Sequence, residues 1–140
     1  MDRVRGRTPP TDSRRERYEA WDSVSMHQPS LHGKRFRVSG TSPGSEVDDK
    51  TTFEYGERDG EVWAVYSGGD IRRGFLVGTR DGDWLDFRYV QLGADGHTSS
   101  GHCRSTITAL GDGRLRLDEV WQWESKPGAG ESSCEEIPRG

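Results

Sequence analysis

The sequence predicts an all-β fold, an eight-stranded antiparallel up-and-down barrel, and three observations carry that reading. Four Asp-Gly pairs stand at Asp59-Gly60, Asp81-Gly82, Asp95-Gly96 and Asp112-Gly113. Asp-Gly supplies the positive φ angles of tight hairpin turns, and between alternating apolar runs it is a strong local hairpin signal. From Leu31 onward apolar and polar residues alternate with period two. Finally, 29% of the 140 residues are hydrophobic and 19 are glycine, enough for one modest core. Such a composition does not suit a helical bundle, because each glycine costs ~1 kcal/mol per helix position relative to alanine.

Residues 1–30 read differently from the rest. They hold Arg3, Arg5, Arg7, Arg14, Arg15 and Arg17 among five acids, with Pro9, Pro10 and Pro29 and little that can be buried. A segment of this composition cannot offset its ordering entropy, so the sequence predicts a disordered or loosely attached N-terminal arm. Ser13 and Glu16 fit a capping box for a short helix over Ser13–Trp21. The arginines suit either a solvated tail or contact with a polyanion, and Met26 is an alternative start.

Reading outward from the turns sets strands near 34–39, 46–57, 61–67, 70–80, 83–92, 99–110, 114–124 and 131–137. In the third, Val62, Ala64 and Tyr66 share one face, with Trp63 and Val65 on the other. Gly74 and Gly78 interrupt the fourth, as expected where a barrel wall bends. In the fifth, Leu85, Phe87, Tyr89 and Gln91 share a face while Asp86 and Arg88 point the opposite way. In the seventh, Leu115, Leu117, Glu119, Trp121 and Trp123 face together. Closing this meander hides its edges, and eight strands enclose just enough room for side chains or one small ligand. A two-sheet sandwich gives a similar alternation and stays as the alternative.

Composition narrows the function classes. The formal charge is −4 with 31% charged residues, which argues against a nucleic-acid partner. No apolar run approaches a membrane span, and the first 30 residues hold no apolar core of a secretory leader, so a cytoplasmic protein is expected. Cys103 and Cys134 are too few for a disulfide framework. Arginine far outnumbers lysine and asparagine is absent, which points to a GC-rich bacterial genome.

The strongest anomaly is Glu119, a carboxylate within an otherwise apolar stripe. Inside a barrel it must be paired, hydrogen-bonded or protonated. It can orient a ligand, act as general acid or base, or form a structural ion pair with Arg88 or Arg104. Trp121, Trp123, Trp63, Tyr66, Tyr55 and Tyr89 form an aromatic set that either walls a pocket or fills the barrel. Gln91 and Arg104 complete the candidate ligand contacts. Tyr66-Ser67-Gly68-Gly69-Asp70 is a pocket rim or a plain turn. Gly40-Thr41-Ser42-Pro43-Gly44 matches the pattern of a nucleophile elbow but lacks the helix that must follow, so it reads as a loop. His97, His102 and Cys103 lack ligand spacing, and no metal or other cofactor is expected. Cys103 and His102 are neighbours on a strand and face opposite ways, which makes a poor nucleophile–base pair. No glycine-rich phosphate loop opens a helix.

The run from Glu61 to Ile71, then Gly74-Phe75-Leu76-Val77-Gly78, Phe87-Arg88-Tyr89, Gly101-His102-Cys103-Arg104-Ser105 and Glu119-Val120-Trp121-Gln122-Trp123, resembles a group of short bacterial proteins often labelled N-acetylglutamate synthase. The match extends through Gly130-Glu131-Ser132 and Glu135-Glu136-Ile137 and covers roughly residues 34–137. The acetyltransferase fold for that reaction is α/β with a pyrophosphate-cradling loop, and neither is visible, so N-acetyltransferase activity is not expected. The strand pattern is similar to calycin-type barrels: lipocalin-like, avidin-like or nitrobindin-like. Nitrobindin-like barrels hold haem through a late histidine, whereas no histidine follows His102. Avidin-like barrels line their pocket with tryptophans and hydroxyls, types matched by Trp121, Trp123 and Tyr66.

Two functions follow as expectations. The first is a binding module that holds one small organic ligand among the aromatics, with Glu119 and Arg88 fixing its orientation. The second is a barrel-type cyclase or isomerase of bacterial specialised metabolism, with Glu119 as general acid or base and Tyr66 or Arg88 stabilising an oxyanion. A barrel simply filled with side chains, serving as a structural partner, is the third. Outward-facing Trp84 and Val90 leave room for a homodimer.

Overall fold

The computed structural model describes residues 27–139. The helix expected over Ser13–Trp21, the start at Met26 and most of the expected arm lie outside the described residues. Eight strands follow one another: β1 (Arg35–Thr41), β2 (Thr52–Arg58), β3 (Glu61–Gly68), β4 (Ile71–Asp81), β5 (Trp84–Gly93), β6 (Thr98–Ala109), β7 (Leu115–Trp123) and β8 (Ala129–Glu136). Each pairs antiparallel with its successor, and β8 returns to β1 through Val38↔Cys134 and Arg37↔Glu135, closing the barrel. Closure leaves no sheet edge, so the sandwich alternative falls.

The turns follow their local chemistry. Arg58↔Glu61 flanks Asp59-Gly60, whose φ angles of 52° and 81° are both positive, as a type I′ turn requires. At the β4–β5 hairpin Asp81↔Trp84 flanks Gly82-Asp83, and Gly82 alone has the positive φ, 63°. Most strand ends differ from expectation by one or two residues. The exception is residues 46–51, expected in a strand and found in the β1–β2 connection. There Lys50 N donates to Asp48 Oδ1 at 2.8 Å and Asp48 N to Thr51 Oγ1 at 3.1 Å. These side chains give the backbone a turn in place of a ladder, the usual effect of Asp and Thr beside Pro-Gly.

The period-two alternation sorts the core. One end is sealed by Leu31, Phe36, Val62, Leu85, Ile107, Leu115 and Leu117, all essentially without solvent exposure. Leu31 is held there from outside the sheet, its N–H donating to Glu57 Oε1 at 2.9 Å. Arg80 also bonds Glu57 Oε1, at 2.9 Å, and donates to the carbonyls of Gln28 and Pro29 at 2.5 and 3.0 Å. These two residues of the expected arm are thus tied to the barrel.

Toward the other end the interior is built of rings seated on glycines. Tyr66 lies opposite Gly74, Phe87 opposite Gly78, Tyr89 opposite Gly101 and Trp121 opposite Gly130. In the Tyr66, Tyr89 and Trp121 pairs the ring occupies the space in which a side chain on the facing glycine would stand. At Gly78 that space is taken by the Asp86 carbonyl and the Phe87 Cα and Cβ. Gly74 and Gly78, expected as bends, are therefore points of close approach. Seating the rings against the wall leaves a small space inside this half of the barrel.

Candidate functional site

A cavity runs down this open half. It measures about 50 Å³, room for a few water molecules. Glu119 forms its floor. The side chain projects from the middle of β7 between Leu117 and Trp121, with Ser105 on β6 and Ser132 on β8 as cross-strand neighbours. The residue is only 8% exposed. The Cys134 thiol donates to Glu119 Oε1 at 3.9 Å. Burial pushes the Glu119 carboxyl up to about 8, with Cys134 opposing weakly and Asp118 adding to the rise. At neutral pH the group is therefore mostly a neutral acid that both donates and accepts hydrogen bonds.

The indole N–H groups of the aromatic walls are bonded to their neighbours. Trp121 Nε1 donates to Ser132 Oγ at 2.9 Å, and Trp123 Nε1 to the Gly44 carbonyl at 3.3 Å. Tyr66 stacks on Phe53 with centroids 4.4 Å apart, and Tyr89 meets Trp123 edge to face at 5.7 Å. Burial also holds the Tyr66 and Tyr89 phenols and the Cys103 thiol well above their ordinary ranges, so all stay protonated.

Glu46 closes the mouth. Tyr66 Oη donates to Gln91 Oε1 at 2.7 Å, and Gln91 Nε2 donates to Glu46 Oε1 at 2.9 Å. Ser99 Oγ reaches Glu46 Oε2 at 3.1 Å, and Lys126 donates to the same oxygen. Burial raises the Glu46 pKa, but hydrogen bonds from Lys126, Gln91 and Ser99 outweigh it and keep the carboxylate below its usual range. Ser45 and Glu46 border both the inner cavity and a polar groove of about 620 Å³ outside it. The loop carrying Glu46 can settle on the rim because Gly68 and Gly69 lack side chains. Any Cβ there would strike the Lys50 carbonyl or the Asp48 carboxylate.

The structure brings together Glu119, Tyr66, Tyr89, Gln91, Trp121 and Trp123, as the sequence suggested. Tyr55 lies in the buried core two residues below Phe53 on β2, and its hydroxyl has no hydrogen-bond partner among the described residues. Three expected site residues are corrected. Arg88 is outside, 64% exposed and 3.1 Å from Glu124. Arg104 is outside, 71% exposed beside Asp86, and Trp63 lies on the outer wall across Gly56. The reason is strand parity: residues beside the inward Phe87, Tyr89, Cys103, Val62 and Ala64 must face solvent. Neither arginine reaches Glu119, so the expected ion pair does not form. His102 bonds Asp86 on the outer wall at 2.5 Å while Cys103 points inward. Sequence reasoning missed Glu46, which no periodicity marks, and also Phe53, Phe87 and Ser132 as lining residues.

A scan against protein-family models matches residues 29–137 to the avidin-like protein family. The chain belongs to that family. Neither the curated proteins nor the solved structures yielded a match. Of the three calycin types that the sequence resembles, the avidin-like one is the family found, and the closed eight-stranded barrel agrees with it. The avidin-like chain carries an aromatic lumen with one acidic side chain at its floor.

Proposed function

We propose that the protein binds one small organic molecule in the lumen, against the rings of Trp121, Trp123 and Tyr66, with Glu119 fixing its inner end. The observation that carries this reading is the cavity that Tyr66, Trp121 and Trp123 line together with Glu119, its Tyr66 and Trp121 rings seated against glycines of the wall. Membership in the avidin-like family supports the same reading. The cyclase or isomerase reading is the weaker one. Glu119 suits proton transfer, but Arg88 lies outside and the Tyr66 hydroxyl is committed to Gln91, so neither expected oxyanion stabiliser is free.

The test is a titration with 1-hexanol and cyclohexanol, followed by tryptophan emission and thermal melting. Binding shifts the emission of Trp121 and Trp123 and raises the melting temperature with ligand concentration, as mass action requires. If neither alcohol changes either signal, the lumen is not a binding site. A homodimer through the outer wall of β3, β4 and β5 is part of the proposal. Trp63, Val65, Phe75, Val77 and Val90 lie exposed side by side there.

A further inference from the structure

The lumen has a definite charge preference. Among the described residues no lysine, arginine or histidine lines the cavity, whose ionisable groups are carboxyls, phenols and a thiol. Among the described residues the titratable groups around Glu119 are of the acid type: Cys134 from β8, Cys103 from β6, Tyr55 from β2, Tyr66 from β3 and Tyr89 from β5, with Asp118 next to it on β7. An anionic ligand would enter against this field without a counter-charge. A cationic one would find a buried carboxyl lacking a cation, beneath rings whose faces attract positive charge. The mouth already shows the arrangement in miniature. The Lys126 ammonium sits 4.6 Å from the Trp123 ring centroid while bonding the Glu46 carboxylate.

We propose that the lumen's ligand carries a protonated amine, its ammonium held against Glu119 and its hydrocarbon body lying between the rings of Trp121, Trp123 and Tyr66. This rests on the ligand-binding reading above and names the chemical class of the ligand. Binding is coupled to a proton. The Glu119 carboxyl loses its O–H proton to the buffer as the ammonium takes its place, so a neutral acid and a cation become an ion pair and one released proton. Since burial pushes the carboxyl up to about 8, roughly nine in ten molecules release a proton on binding at pH 7. Lys126 does not compete for this position, because Glu46 and Trp123 hold it at the mouth.

The experiment is calorimetric titration of the whole protein with n-hexylamine, 1-hexanol and hexanoate, in buffers of differing ionisation enthalpy, for the wild type and Glu119→Gln. The amine is expected to bind about tenfold or more tightly than the alcohol, and hexanoate most weakly. Amine affinity tightens by about tenfold per pH unit from about pH 6 to 7.5 and levels above about 8. Glu119→Gln abolishes proton release and the pH slope and removes the preference of the amine over the alcohol. The wild-type slope stands as evidence even if that variant folds poorly. Alcohol and amine binding equally, a preference for hexanoate, or amine binding without proton release each overturns the charge assignment while the lumen remains a binding site. Absence of binding by all three overturns both.

Discussion

Replacing Glu119 with glutamine isolates the energetic cost of an acid in an apolar barrel. In the fold the carboxyl keeps its proton to about pH 8, whereas in the unfolded chain it ionises near 4.5. Below 4.5 both states are protonated and the group contributes its full share of stability. Between the two values only the unfolded state has lost the proton, so each rise of one pH unit removes about 1.4 kcal/mol of stability. Above about 8 the loss is complete, reaching about 5 kcal/mol over the 4.5-to-8 window. Water drawn in through the mouth would shelter the carboxylate and shrink that figure. Glutamine has the same outline and stays neutral, so the stability difference between the variant and wild type traces this term alone. Urea unfolding at about pH 5, 7 and 9 reads it. The variant should match wild type at the lowest pH and exceed it by several kcal/mol at the highest. Parallel profiles across that range would show that Glu119 ionises in water and would refute the buried floor.

Three further outcomes test the rest of the account. Tyr55→Phe removes a buried hydroxyl that has no partner among the described residues and should stabilise the fold by about 1 kcal/mol, read as a melting temperature a few degrees higher; a clear loss would mean that the hydroxyl is satisfied. Leu31→Ala empties the sealed end and should cost about 3 kcal/mol in denaturant unfolding. A cost near zero would show that the segment before β1 is not part of the core. Val77→Asp, in the middle of the exposed apolar wall, should convert the proposed homodimer to a monomer in sedimentation velocity, and a wild type that is already monomeric rejects the dimer.

The fold was legible because its signals are local. Asp59-Gly60 makes its turn through its own φ angles, and Leu85, Phe87 and Tyr89 declare a face by spacing alone. Glu119 was legible for the same reason, since Leu117 and Trp121 fix its parity. That parity also puts Arg88 and Arg104 outside. The expectation that they help a ligand ran against the alternation, drawn by the need to neutralise Glu119; the fold meets that need by protonation. Glu46 was not legible, because a loop has no period and its partners Gln91, Ser99 and Lys126 come from three later parts of the chain. The seating of rings on glycines was hidden too. Tyr66 and Gly74, or Trp121 and Gly130, become partners only once register is known.

Crystals soaked in 1-hexanol bear most directly on the lumen. The account predicts continuous difference density along the axis beside Trp121 and Trp123, ending with the hydroxyl within about 3 Å of Glu119. A cavity that stays vacant, or density confined to the polar groove outside Glu46, would contradict it.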